Sequence, residues 1–198
     1  MKSLLNQSRL AACVMTVLAI LAMAMAAHAQ TRYATGTTEA AVLLGPSTGQ
    51  VTIESVYAAS DKAGAKIAIH AWDMQRPINP SAAHAATNIV PVAGADDVWS
   101  EHDPVVYVHP DGAVDYRTVS AATATNVTLS ANLSQAGGTS GRIYTLKAAG
   151  QLPFDTTGAG VGTNKYASFS GSVWRGLAPV RVAIDGTSNT VIQVTSDR

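Results

Sequence analysis

The sequence predicts an exported all-β protein, an antiparallel β-sandwich or a small β-barrel built from successive hairpins. Three observations predict this class. A basic start and an apolar run open the chain, short β-branched runs alternate with polar residues between turn formers, and no amphipathic helix longer than two turns is present. The alternation has the period of a half-buried strand, so these runs are expected to pair as sheets.

The leader is predicted to span residues 1–29. An apolar run from Leu10 to Ala27 and the small-x-small site Ala27-His28-Ala29 are typical of a secretory signal peptide, so cleavage is expected before Gln30. We therefore expect a secreted or cell-surface protein, or a periplasmic one if the host has an outer membrane. No later stretch is apolar enough to cross a bilayer, so no membrane span is expected.

Charged residues are scarce, at 13% of the chain against about 25% in an average soluble protein. Basic and acidic residues number 13 each, so no basic field is present that would attract nucleic acid. The only cysteine, Cys13, lies in the leader, and the mature chain is expected to have no disulfide. Its stability must then come from burial and backbone pairing.

Residues 51–74 predict the first hairpin. Two β-branched runs flank the turn-forming residues 61–64, and Ile67 and Ile69 fall on one side of the second run. A last hairpin is predicted over residues 179–197, with Ile192 opposite Val182 or Ile184. Further strands are predicted over 127–130, 142–148 and 163–175, and an edge strand over 87–92, where Pro91 excludes a central position.

The hairpin at residues 105–119 is predicted with its register. Its turn, residues 109–112, has proline and glycine at the positions that a type I turn and the following left-handed residue favour. Counting outward gives four pairs: Val108 with Val114, Val106 with Tyr116, Tyr107 with Asp115, and Val105 with Arg117. One face is then wholly apolar and the other mostly polar, which supports this register.

A metal site is predicted where histidines and carboxylates concentrate. Imidazole and carboxylate groups are ligands of transition metals and of Ca²⁺, so either kind of ion is a candidate cofactor. The candidate ligands are His70, His102, Asp103, His109 and Asp115. Because their spacing matches no defined metal motif, the alternative is that they are turn formers and solvated side chains.

Complete catalytic motifs are missing from the sequence. No Gly-x-Ser-x-Gly elbow is present, and the glycine-rich residues 158–162 lack the Lys-Ser/Thr and the helix of a phosphate loop. Enzymatic activity is therefore not the favoured interpretation. The three tryptophans, Trp72, Trp99 and Trp174, are candidates for a sugar-binding platform, with core packing as the alternative.

The favoured function is structural or adhesive, a self-assembling surface, matrix or filament subunit that forms a homo-oligomer or polymer. Residues 30–50 are predicted to be an N-terminal arm or first strand, ahead of a single all-β domain at 51–198. The predicted assembly element consists of Thr37, Ala40, Val42, Leu43 and Leu44, which would pair with a neighbouring subunit. The alternative is an edge strand of its own domain. The alternative function is a secreted carbohydrate- or metal-binding module, with polysaccharide as partner and enzymatic activity left open.

Overall fold

The computed structural model describes residues 29–197 and confirms the all-β class. Every strand pairing is antiparallel. The strands are β1 (Gln30–Gly36), β2 (Glu39–Ser60), β3 (Ile67–Trp72), β4 (Ile89–Pro91), β5 (Pro104–Val108), β6 (Val114–Ala122), β7 (Asn126–Leu129), β8 (Arg142–Leu152), β9 (Lys165–Asp185) and β10 (Thr190–Ser196). The predicted leader falls outside the described residues except for its last position.

The strand order across the sheet is β1-β10-β2-β9-β3-β8-β5-β6-β7-β4. Strands β2 and β9 have 22 and 21 residues and pair along most of their length. Their register shifts between Leu44 and Gly49 and between Ile53 and Ser55. Residues 45–48 therefore form an irregularity within β2.

The predicted hairpin at residues 51–74 is wrong, because β9 lies between β2 and β3. The predicted hairpin at 179–197 is wrong for the same reason, since β2 lies between β9 and β10. The two turns contact each other instead. Asp61, in the turn after β2, accepts hydrogen bonds from the backbone N–H groups of Thr187 and Ser188, in the turn after β9. These bonds, together with one from the Ser188 hydroxyl, hold the pKa of Asp61 far below its ordinary value.

The hairpin of β5 and β6 has the predicted register at all four pairs. Its mostly polar face is largely covered, because Val105, Tyr107 and Asp115 are buried. Strand β5 is covered on both faces. Pro91 also lies where predicted, in the short terminal strand β4.

Three apolar clusters hold the sheet together. The largest joins β2, β3, β9 and β10 through side chains such as Ile53, Ile67 and Ile192, which are fully buried. The second is formed by buried side chains of the strands β4 to β8, of the 3-10 helix at Ala95–Asp97 and of Trp99. The third connects the two regions, because Leu43 of β2 packs against the opposite face of β5 and β8. Among residues 29–197, no helix has the length and apolar character needed to span a membrane.

Candidate functional site

His109 and Asp115 form a buried pair at the end of the β5–β6 hairpin. The type I turn brings them together: the Gly112 N–H donates to the His109 carbonyl, and Gly112 has a φ of 89°, which suits glycine. His109 Nε2 lies 2.8 Å from Asp115 Oδ2, and the histidine side chain is fully buried. Two of the predicted metal ligands are therefore in contact.

Asp115 is the common acceptor of a larger network. Its carboxylate accepts hydrogen bonds from Arg117 Nη2 at 2.9 Å and from both the N–H and the hydroxyl of Ser134 at 2.8 Å. Burial by itself would raise the pKa of Asp115, but the bonds from His109 and Ser134 and the charge of Arg117 lower it below the ordinary value. A network of this kind stabilises the ionised carboxylate.

The network holds the loop that follows β7, at residues 131–134, against the hairpin. Arg117 Nε donates to the carbonyls of Ala131 and Asn132, while Ser134 is bonded to Asp115. The Ser134 hydroxyl donates to the carboxylate rather than to His109, so these three residues do not form a nucleophile activated by a base. The arrangement therefore supports a structural role for this network.

Tyr107 extends the same buried region. Its hydroxyl lies 3.0 Å from His84 Nε2, and its ring centroid is 4.6 Å from that of His109. The loop approaches so closely that a methyl group on Gly137 or Gly141 would lie 2.2 Å from the Tyr107 hydroxyl oxygen. His109 Nδ1 is buried and has no hydrogen-bond partner among the described residues.

The other predicted metal ligands lie elsewhere. His70 is on β3 opposite Arg181 of β9, His102 is exposed beside Glu101, and Asp103 accepts a hydrogen bond from the Ser100 N–H. Within residues 29–197, no three His, Cys, Asp or Glu side chains form a group that could hold a metal ion. Metal binding stays a prediction, and of the proposed ligands the structure joins only His109 and Asp115.

A second buried charge was missed by the sequence reasoning. Arg181 of β9 forms an ion pair with Glu39 of β2, and its guanidinium carbon lies 4.0 Å from the ring centroid of Tyr116. Burial and the nearby Arg181 charge lower the pKa of His70, although Glu39 opposes this shift. Arg181 lies within a run of apolar residues, Val180 to Ile184, and its partner Glu39 is far away in the sequence. The sequence therefore shows no sign of a buried ion pair.

The predicted assembly element lies in the sheet of its own chain. Glu39–Leu44 is the first part of β2 and pairs with β9, and Ala40, Val42 and Leu44 are buried in the largest cluster. Leu43 points the other way, into the third cluster, and Thr37 lies in the short connection between β1 and β2. The segment therefore lies in a strand of its own chain, paired with β9, and exchange of this segment with a neighbouring subunit stays a prediction.

An uncharged surface, bordered by the exposed Glu54 of β2 and Arg175 of β9, covers part of the outside of β1, β10, β2 and β9. Residues that lie directly opposite each other share a face of a sheet, so the register groups Tyr33, Gln193, Tyr57 and Ser168 in one row. The inward row beside it, which includes Val56, belongs to the largest cluster. We call the following set the outer face: Thr31, Tyr33, Thr35, Ser55, Tyr57, Ala59, Tyr166, Ser168, Ser170, Val191, Gln193 and Thr195.

The outer face carries exposed aromatic rings. Tyr33 and Tyr166 are 73% and 64% exposed, and the ring centroids of Tyr57 and Tyr166 are 6.3 Å apart. The three tryptophans do not contribute, because Trp72, Trp99 and Trp174 belong to three different clusters. A shared tryptophan platform is therefore not formed, and the exposed aromatic surface consists of tyrosines.

Comparison with protein-family models and with curated proteins found no match. Among solved structures, the chain is similar to VP17, a capsid protein of bacteriophage P23-77, with 8% identity, a TM-score of 0.21 and coverage of 84% of this chain and 96% of that one. The complex of VP16 and VP17, the two major capsid proteins of that phage, gives 8% identity, a TM-score of 0.22 and coverages of 85% and 98%. The VP2 subviral particle of infectious bursal disease virus gives 13% identity, a TM-score of 0.10 and coverages of 85% and 40%. TM-scores this low carry no argument about fold or function.

Proposed function

We propose that this protein is a structural subunit that associates with copies of itself through its sheet. The observation that carries the proposal is the outer face, a set of positions that spans four strands, contains no charged side chain and, except for the buried Ala59, is at least partly exposed. Charged side chains are depleted at the buried centres of protein interfaces. The outer face also has none, so two copies can approach each other through it without like-charge repulsion.

The composition of the outer face also suits contact between proteins. Tyrosine is enriched at protein interfaces because it combines a large apolar ring with a hydrogen-bonding hydroxyl. Tyr33, Tyr57 and Tyr166 supply such rings, and threonine, serine and glutamine surround them with neutral hydrogen-bonding groups. Export of the subunit is part of the proposal and rests on the leader.

Lysine substitutions test the role of the outer face. Gln193→Lys and Ser168→Lys each place a charge in the row of Tyr57, at exposed positions. We expect wild-type protein to form oligomers in analytical ultracentrifugation, and each variant to weaken self-association by roughly tenfold or more, about 1.4 kcal/mol. Ser120→Lys, at an exposed position on β6, is the matched control and should assemble like wild type.

Two results would contradict the proposal. If wild-type protein stays monomeric at the highest soluble concentration, the protein does not self-associate and the proposal is wrong. Face variants that assemble as well as the Ser120→Lys control would show that association uses another surface. Circular dichroism of each variant verifies that the sheet is retained.

Binding of a neutral polysaccharide is a second candidate, favoured by the neighbouring exposed rings of Tyr57 and Tyr166. Aromatic rings together with neutral hydrogen-bonding groups are suited to sugars, which present apolar C–H faces and hydroxyls. Co-sedimentation with insoluble neutral polysaccharides tests this candidate. Tyr57→Ala and Tyr166→Ala should each abolish co-sedimentation, and wild-type protein that remains in solution would refute it.

A further inference from the structure

The two ends of the described sheet are protected to different degrees. Strand β4 has three residues and includes Pro91, which cannot donate a backbone hydrogen bond. Short length and proline are both devices that prevent strand addition at a sheet edge. Strand β1, at the other end, has seven residues and no proline, and within residues 29–197 only β10 pairs with it. Of these two terminal strands, β1 is therefore the one whose edge is open to strand addition.

The one charged residue of β1, Arg32, is not placed to prevent strand addition at this edge. Arg32 lies opposite Val194, whose side chain is in the largest cluster, so Arg32 belongs to the inner face. Its guanidinium donates to the Leu43 carbonyl at 2.8 Å and to the Gln30 side-chain oxygen at 3.3 Å. The charge is thus tied to its own chain, and an incoming strand meets threonine and tyrosine on the outer face.

We propose that β1 pairs antiparallel with β1 of a second copy, with Tyr33 of each copy opposite Tyr33 of the other. This inference rests on the proposed function and names the contact that joins two subunits. A twofold axis at Tyr33 places Thr31 opposite Thr35 of the partner and Arg32 opposite Ala34 of the partner. Each pair then lies on one face, and the sheet continues from one copy into the other.

The register follows from the length and charge of β1. Tyr33 is the central residue of Gln30–Gly36, so this register pairs all seven residues, and any shift leaves residues unpaired. A shift that centres the axis on Arg32 would place two guanidinium groups opposite each other, which is destabilising. The Tyr33 register instead gives an aromatic pair at the centre, a favourable cross-strand contact.

A pairing of this kind closes a dimer and does not by itself form a polymer. The contact uses the β1 edge of both copies, so that edge is not left free to pair with a third copy. The outer faces of the two copies become one continuous neutral surface, with the row of Tyr33, Gln193 and Tyr57 repeated across the axis. Larger assemblies would then grow by packing of these joined faces.

Cysteine cross-linking tests the register. With Cys13 removed by processing or replaced by serine, the chain has no other thiol. Directly opposed residues in antiparallel strands have Cα atoms about 4.5–5.5 Å apart, within the range of a disulfide. We expect Tyr33→Cys to form disulfide-linked dimers on mild oxidation, at least about tenfold faster than Ser120→Cys, an exposed position on β6 away from this edge.

A mixed experiment keeps Tyr33 in place. Thr31→Cys and Thr35→Cys should each form no disulfide-linked dimer when oxidised alone, because their thiols lie opposite threonines. An equal mixture of the two variants should form a disulfide-linked heterodimer. Reducing and nonreducing gels with intact-mass analysis measure the products.

The possible failures are distinguishable. If Tyr33→Cys and the mixture both fail to cross-link while wild-type protein still assembles, the β1 contact is overturned and the proposed function stands. If Thr31→Cys alone cross-links as fast as the mixture, the Tyr33 register is overturned. Monomeric wild-type protein at high concentration would overturn both the contact and the proposed function.

Discussion

Replacing Asp115 with alanine removes the acceptor shared by His109, Arg117 and Ser134. The carboxylate is buried, and four hydrogen bonds from these residues end on its two oxygens at 2.8–2.9 Å. In the variant, the fully buried His109 side chain would have no hydrogen-bond partner at either ring nitrogen. The loop after β7 would also lose its bonds to the hairpin through Ser134.

The expected cost follows from these contacts. A hydrogen bond to a charged group contributes about 1.5–3 kcal/mol, and removing one partner of a buried ion pair costs about 3–5 kcal/mol. Because the four bonds act as one network, they are not additive, and we expect Asp115→Ala to lower the free energy of unfolding by about 3–5 kcal/mol. For a chain of this size, the melting temperature should fall by roughly 6–20 °C.

Urea unfolding at several pH values is the assay. The Asp115 pKa lies below its ordinary value, so the folded state binds fewer protons than the unfolded state near pH 4. The stabilisation from Asp115 is therefore complete above the unfolded pKa of about 3.9 and is lost as the pH falls through the folded pKa. The difference in stability between wild type and variant should shrink below about pH 4.

Asp111→Ala is the matched control, because Asp111 is exposed on the same turn and accepts hydrogen bonds from Gln135. A loss below about 1 kcal/mol is expected there, as for other surface interactions. If Asp115→Ala lowers the free energy of unfolding by no more than this control does, the stabilising role of the network is refuted. A difference between wild type and Asp115→Ala that grows as the pH falls would contradict the proposed charge state.

Four further predictions concern packing, the first strands, processing and metal. Gly176→Ala should lower the free energy of unfolding by about 1–3 kcal/mol, because its new methyl carbon would lie 2.1 Å from an atom of the Trp174 ring. Deleting residues 30–45 should unfold the protein, since it removes three buried side chains from the largest cluster, as circular dichroism would detect. Intact-mass analysis of exported protein should give a chain that starts at Gln30. If the predicted metal site binds an ion, adding Ca²⁺, Zn²⁺ or Cu²⁺ at about 100 times the Kd to chelated protein should stabilise it by about 2.7 kcal/mol, measured as a rise in melting temperature.

Each of these predictions has a contradicting outcome. Gly138→Ala, which has open space around the new methyl group, is the control for Gly176→Ala, and equal stability of the two variants would refute the clash. A folded, monomeric protein without residues 30–45 would revive the exchanged-arm interpretation. Exported protein that retains residues 1–29 would exclude the signal peptide. Unchanged melting at millimolar concentrations of all three ions would remove the metal prediction.

Local pairing was readable from the sequence, whereas distant pairing was not. The β5–β6 register was predicted because turn residues and alternation lie within one short segment. The pairing of β2 with β9 joins residues such as Glu39 and Asp185, and no local pattern specifies such a partner. The turn after β2 therefore resembled that of a hairpin although its flanking strands are separated.

The candidate site was predicted only in part for a similar reason. His109 and Asp115 were both named, because the polar window around the turn marked them. Ser134 and His84 come from loops whose positions depend on the folded sheet, so their contacts with the hairpin had no sequence signal. The burial of Asp115 was not predicted either, since nothing in its strand shows that a later loop covers it.

The pairing of the first described strand with the last affects the time at which the protein can fold. Strand β1 has β10 as its partner, and Gln30 lies opposite Ser196. Strand β1 and the first half of β2 therefore have no partners until the segments that form β9 and β10 are available to pair with them. Such long-range closure makes folding slow, and the apolar segment at Ala40–Leu44 is exposed throughout that delay. A truncated or stalled chain has no way to bury it, so incomplete copies should depend on chaperones from the start of their synthesis.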